Sequence, residues 1–436
     1  MHSERPCRGA AGEPASAAER PATVRTVAVP RRSRTAIALC IAVFPFAVPS
    51  GALALDEAGL QRSLERAAQY GHTRAVSMVV RDLSSGTTLF AKNPATPRIP
   101  ASVEKLYTTA SALRLLGPDA RIVTRVMRSG EVTDGRLDGD LYLVGSGDPT
   151  LDHAAVRRLA RAVERSGIRR VSGSVLGDDS RFDALRGGPR TGGAYDRDIG
   201  GVLGALTVGR GFSRRPGGPA LAAARSLVRS LRAEGVRVAG RTGTGVAPAG
   251  SRSVARSRSV PMTQLIRMTN APSDNFMAET LAKEIALTSG TAAGGAAAQG
   301  TTAGGMARVG REMAALGLHP TLVDGSGLSR ANRTSASDVT SLLISMHGTR
   351  AAQQFEDSLA IAGLSGTLRR RLRGTFAAGA CRGKTGTLNR VSTLAGLCVT
   401  RQGRTVVLAL MFNDVAIWRA HAAQDRALRA IVSYRG

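Results

Sequence analysis

The C-terminal run "GKTGTLNRVSTLAGLCVTRQGRTVVLALMFND" most constrains what this chain can fold into. It holds at least three strand-like segments joined by turns, and an apolar-periodic helix from Trp418 to Val432 follows. Near the start, an amphipathic stretch from Leu60 to Tyr70 precedes "AVSMVVRDLSSGTTLFAKN", which reads as a hairpin turning at Ser-Ser-Gly. The expected product is an α/β (α+β) fold, a sheet flanked by N-terminal and C-terminal helices. Asn389 and Arg390 can form the centre of a tight turn in that run. A two-residue hairpin there would set Cys381 directly opposite Cys398, so a cross-strand disulfide is expected. Two free buried thiols on facing strands are the alternative.

Between these ends the texture changes. "IPASVEKLYTTASAL" carries Val103, Leu106, Tyr107, Ala110 and Leu113 at helical spacing, with Gly117-Pro118 as the stop. From about Arg121 to Ala255 short strands and turns dominate, interrupted by one helical stretch near Leu221 to Glu234. This reads as an inserted α/β module, with residues 55–120 and 256–436 forming a split main domain. "AGSRSVARSRSV" reads as a basic crossing back to that domain, and the Gly/Ala-rich stretch after Thr288 as a loop. "GSGDPT" is a plain turn, because no Gly-Lys-Ser/Thr follows to make a phosphate loop.

With 436 residues, 43% of them apolar, the chain has ample material for a core. Its +28 charge comes almost wholly from Arg and suits nucleic acid, anionic membrane or anionic wall polymer equally. An aromatic fraction of 3% and the lack of RNA-binding or zinc-finger signatures argue against nucleic acid. The six histidines show no metal spacing and no Cys-x-x-Cys occurs, so neither a metal nor a cofactor is expected. Residues 1–54 resemble an export segment with a long basic n-region: Arg31, Arg32 and Arg34 precede an apolar run, and cleavage is expected after Ala54. Removing it takes away seven Arg and three Glu and leaves +24 on the mature chain. It also leaves Cys381 and Cys398 as the two cysteines of a protein in an oxidising compartment.

Only four residues are Lys, and one of them, Lys105, lies three positions after Ser102. On a helix these positions share a face, while Glu104 points elsewhere. A serine hydroxyl becomes a useful nucleophile when a base takes its proton, and an amine does so only when unprotonated. Arginine cannot lose its proton, which explains a lysine surviving here in an arginine-rich chain. A second cluster, Ser273, Asp274 and Asn275, sits at a helix start, where the bland reading is a cap. The functional reading has Ser273 relay a proton and Asn275 hold a substrate amide. The third is Lys384, Thr385, Gly386 and Thr387 on a strand. Lys384 would be a second cation that keeps Lys105 neutral and attracts a carboxylate, which Thr385 and Thr387 would bond.

Ser-x-x-Lys, Ser-Asp-Asn and Lys-Thr-Gly in this order form the signature set of serine β-lactamases and penicillin-binding proteins. Beyond the motifs, "PASVEKLYTTASALRLLGPDA", "LYLVGSGDPTLD", "LGDDSRFD", "SDNFMAETLAKE", "DGSGLSRANRTSASDV" and "GKTGTLNRVSTLAGL" resemble segments of the D-alanyl-D-alanine carboxypeptidase/endopeptidase family of low-molecular-mass penicillin-binding proteins. The resemblance runs from about residue 56 to the C-terminus. It implies a β-lactamase/transpeptidase-like domain with a central antiparallel sheet and a large insertion after the first motif. It also implies an acyl-enzyme on Ser102, Lys105 as base, and an oxyanion hole from the Ser102 and Thr387 backbone N–H groups. Peptidoglycan stem peptides would be the substrates and β-lactams covalent inhibitors, outside the cytoplasm, with anionic wall polymers as further partners. A β-lactamase is the alternative enzyme, though no Glu-x-x-x-Asn segment of the class A kind follows Ser-Asp-Asn. An inactive basic wall-binding protein is the alternative of another class. "GGAYDRDIGGVLGALTVGRG" matches the family only loosely.

Overall fold

The computed structural model describes residues 55–212, 217–289 and 299–435, all within one compact unit. The export segment and most of the Gly/Ala-rich stretch lie outside the described residues.

The strand Thr405–Asn413 shows why the main sheet forms. Its even positions Val406, Leu408, Leu410 and Phe412 enter one apolar cluster, and its odd positions Val407, Ala409 and Met411 enter another. A strand apolar on both faces must be covered on both, and helices supply the cover. Glu57–Tyr70 and Ile417–Val432 pack on the first face, through Leu60, Leu64, Leu428 and Ile431. Lys105–Leu116, Met262–Asn270, Asn275–Ala286, Thr302–Ala314 and Ala336–His347 supply the second, through residues such as Leu106, Leu265, Leu281, Val309 and Leu342. Each such leucine, fully buried, contributes about 1.5–3 kcal/mol.

The sheet has six antiparallel strands in the order Ala360–Ile361, Cys381–Leu388, Val391–Val399, Thr405–Asn413, Val76–Asp82 and Thr88–Lys92. The N-terminal hairpin thus docks beside the last strand, Val76 opposite Phe412. The turn falls at Asn389-Arg390, with Arg390 at φ 59°, and brings Cys381 opposite Cys398 in a disulfide.

Residues 121–258 build two further sheets around a separate apolar cluster that includes Val126, Leu143, Val156, Leu159 and Leu227. One is a mixed five-stranded sheet and the other a small four-stranded one. This region departs from the sequence reading twice. His153–Arg165 is a second helix, started by Asp152, whose carboxylate accepts from the Ala155 N–H at 2.7 Å. Its signal was a capping Asp before apolar residues at helical spacing. The basic crossing is itself a strand, Arg252–Arg258, at the sheet edge beside Val123–Arg128. Arginine at alternate positions suits an edge, where charge discourages further pairing.

Candidate active site

Ser102 does not begin an α-helix. It lies in a 3₁₀ turn, Ala101–Glu104, that leads into the α-helix Lys105–Leu116. In a 3₁₀ turn side chains three apart eclipse, so the tighter winding brings Lys105 beneath Ser102 more directly than an α-turn would. The Lys105 Nζ donates to Ser102 Oγ at 2.9 Å, to Asn275 Oδ1 at 2.7 Å and to the Ser326 carbonyl. Lys105 is fully buried, whereas Ser102 retains some exposure.

The turn is held from below by close backbone packing. A Cβ on Gly386 would sit 2.3 Å from Thr393 Oγ1, 2.6 Å from the Pro100 carbonyl and 2.8 Å from the Ser102 nitrogen. Only glycine therefore lets the Cys381–Leu388 strand run this near Ser102. Thr393 also donates to the Pro100 carbonyl at 2.6 Å, tying the turn to the next strand. Ala101 takes φ 47° and Ser273 φ 66°, a left-handed conformation that costs a non-glycine residue on the order of 1–3 kcal/mol. Ala101 directly precedes Ser102, and Ser273 is a partner of Lys384.

The second motif does form a helix cap. Asp274 caps the helix Asn275–Ala286, accepting from the Met277 N–H at 2.9 Å. Next to it, Asn275 turns its oxygen to Lys105 and donates through Nδ2 to the Asp198 carbonyl at 2.7 Å. Ser273, on the other side of the cap, accepts from Lys384 Nζ at 2.8 Å. Lys384 also donates to the Thr385 carbonyl at 2.7 Å, and Thr385 Oγ1 donates to Thr367 Oγ1 at 2.7 Å. Thr387 is exposed at the cleft edge. The three motifs are thus brought together, with Ser102 and Lys105 joined to Asn275, and Lys384 joined to Ser273.

Several residues of this site were not anticipated. Glu104 is turned away from the hydroxyl, but into the interior and not to solvent: it is fully buried. Glu279, one turn after Asn275, and Asp324 are buried with it, and all three act electrostatically on Lys105. The stretch "DGSGLS" also contributes: its Ser326 carbonyl is a Lys105 partner and its Gly327 packs against the Ala101 carbonyl at φ 81°. From the loosely matching segment, Arg210 pairs with Asp274 and lies 5.4 Å over the Phe276 ring. Glu104 and Glu279 lie inside helical segments, whereas Asp324 lies in a loop.

Burial pushes the Lys105 amine down to about 8, against the pull of Glu104, Asp324, Glu279 and Asp274, which favour its proton. Burial also pushes Lys384 down, well below the ordinary lysine value, and the Lys105 charge pushes it further. In the protein alone the repulsion therefore acts mainly from Lys105 on Lys384, the reverse of the order read from sequence. The reason is the carboxylates, which gather under one lysine and not the other.

The D-Ala-D-Ala carboxypeptidase 3 (S13) family model matches residues 60–194 and 190–433. The chain belongs to this family of serine peptidases. It is 33% identical over 365 residues to a carboxypeptidase of Mycobacterium tuberculosis, covering 77% of this chain and 75% of that protein. It is 29% identical over 444 residues to the D-alanyl-D-alanine carboxypeptidase of Actinomadura sp. (strain R39), covering 82% of this chain and 81% of the relative. Among solved structures, penicillin binding protein 4 of Haemophilus influenzae superposes with a TM-score of 0.72 at 19% identity, over 84% of this chain and 97% of that one. The family's fold, a transpeptidase-like sheet flanked by helices, is the fold described above.

Proposed function

We propose that this S13 peptidase is an exported serine DD-peptidase that cleaves peptidoglycan stem peptides or cross-links through an acyl-enzyme on Ser102. The observation that carries the reading is the buried Lys105 amine 2.9 Å from a partly exposed Ser102 hydroxyl, in a chain of this family.

In the reaction, unprotonated Lys105 takes the Ser102 proton as Oγ attacks the carbonyl before the terminal D-alanine. The backbone N–H groups of Ser102 and Thr387 bond the oxyanion, often the largest single contribution in acyl transfer. The C–N bond breaks, and the proton passes from Lys105 to the leaving amine with Ser273 as relay. Water then hydrolyses the ester. Lys384, Thr385 and Thr387 bind the substrate's terminal carboxylate, and Asn275 holds its amide. That carboxylate brings to Lys384 the anion its surroundings lack, so the preferred seat of the shared proton moves from Lys105 to Lys384 as substrate binds.

A β-lactam presents a carbonyl and a carboxylate at similar places and acylates Ser102. Residues 121–255 form an inserted module, a reading supported by their separate sheets and apolar cluster. Export fits the disulfide and the leader-like start, and no described helix is long and apolar enough to cross a membrane. The basic surface holds the enzyme on anionic wall polymers in a salt-sensitive way.

The test is to treat the mature protein and Ser102→Ala with a fluorescent penicillin, and to follow D-alanine release from a stem pentapeptide. Stable labelling and release by the unmutated protein alone is expected. No labelling would overturn the reading, and rapid loss of label would point to a β-lactamase.

A further inference from the structure

Three carboxylates surround the Lys105 amine, and they are not equivalent. Asp324 is saturated: Oδ1 accepts from the Gly327 N–H at 2.7 Å and Asn332 Nδ2 at 2.8 Å, and Oδ2 accepts from the Ser329 N–H at 2.5 Å. Both of its oxygens have N–H donors. Glu279 accepts from the Ser326 N–H at 2.9 Å, and its Oε2 is buried without a partner. Glu104 has only the Thr108 hydroxyl at 3.2 Å, and its Oε2 is also buried without a partner. No metal accounts for them, since no group of His, Cys, Asp and Glu among the described residues is arranged to hold one.

A buried carboxylate oxygen without a donor is costly, and three carboxylates beside one ammonium would leave uncompensated negative charge in the interior. Protonation removes the excess charge. The charge balance then needs a proton held between Glu104 and Glu279. Glu104, with the weaker hydrogen bond and no N–H donor, is the member better kept as the acid. Glu279, with a backbone N–H on one oxygen, is the member able to ionise.

We propose that Glu104 and Glu279 form a proton-holding pair beneath Lys105, with Glu104 the neutral acid and Glu279 the ionising member. The pair's charge sets the proton affinity of the base and hence the pH range of Ser102 acylation. The two are positioning residues: Glu104 accepts from Thr108 and Glu279 from Ser326, and neither is hydrogen-bonded to Ser102. This rests on the acyl-enzyme reading above and adds a control on it.

The directions of titration agree with the geometry. Burial, then Asp324, then Glu279 hold the Glu104 carboxyl well above its ordinary value. Burial and Asp324 push Glu279 up to about 7. The other charges facing Lys105 are Asp274, from the helix cap and paired with Arg210, and Lys384, from the strand across the cleft. Both stay in place in the variants below. An ionised Glu279 favours the ammonium form of Lys105, so its loss moves the onset of base catalysis to lower pH.

The experiment is the pH dependence of the second-order rate of acylation by a fluorescent penicillin, for wild type, Glu279→Gln and Glu104→Gln. For Glu279→Gln the rising limb should move down by about one pH unit, the effect of removing one nearby charge, so the rate below the limb rises about tenfold. For Glu104→Gln, a neutral group replaces a neutral group, and the limb should stay within about 0.3 unit. Coincident wild-type and Glu279→Gln profiles would overturn the proposal, as would a Glu104→Gln shift equal to that of Glu279→Gln. Infrared difference spectra of the wild type keep it testable should a variant fail to fold. A carboxylic-acid carbonyl band must persist at pH 6.5 and diminish toward pH 8, and its absence would overturn the pair. Wild-type protein that takes no label would instead refute the acyl-enzyme reading and leave the infrared result standing.

Discussion

Lys105 and Lys384 are both fully buried, both face one cleft and both touch a serine, yet their surroundings differ. Under Lys105 lie Glu104, Glu279 and Asp324, with Asp274 near. Lys384 bonds Ser273 and a backbone carbonyl, and what acts on it is burial and the charge of Lys105. Burial alone would strip the proton from either. The acids return it to Lys105, and Lys384 is left waiting for an anion that a substrate carboxylate can provide. In the proposed mechanism, two identical side chains thus divide into a base and a carboxylate reader.

Removing the base should have the largest effect. Lys105→Ala should lower the acylation rate by about 10³-fold or more, and Lys105→Arg should recover none of it, measured by stopped-flow labelling. Lys384→Ala should cost less, about 10²-fold, and in a selective way. Unmutated enzyme should prefer a peptide ending in a carboxylate to its C-terminal amide, and the variant should treat the two alike. An equal loss on both peptides would break the division of roles. Gly386→Ala should displace the Ser102 nitrogen without touching either lysine. We expect acylation to fall about tenfold and stability by about 1–3 kcal/mol in denaturant titration. Replacing Cys381 and Cys398 by Ser removes a link spanning a separation of 17 residues. The stability loss should be about 3 kcal/mol, with the labelling rate of the folded protein within about twofold, because the link lies at the far end of the Lys384 strand.

The motifs were legible because each needs particular residue types at short spacing, and the sheet because its strands are sequential and joined by tight turns. The register of Cys381 on Cys398 followed from the turn at Asn389. What lay hidden was long-range. Nothing local to Glu104 shows that Glu279 and Asp324 will be folded against it, since the three belong to different elements and meet only in the packed core. The carboxylate inside "SVEK" therefore read only as pointing away from the Ser102 and Lys105 face. Ser326 was missed for a similar reason, because its contribution to Lys105 is a backbone carbonyl and carries no side-chain signature. The helix at His153 was lost in a region whose frequent glycines and short strands drew the reading toward turns.

The claim that Lys105 is the base is tested most directly by the pH dependence of acylation in wild type and Lys384→Ala together. The second-order rate reports the free enzyme's titration. Since the Lys105 amine lies at about 8, the rate should rise with pH through that value and level off above it. The same limb should persist in Lys384→Ala at a lower plateau. A profile flat across that range in the wild type, or a limb that vanishes in Lys384→Ala, would contradict the account and move the base to Lys384.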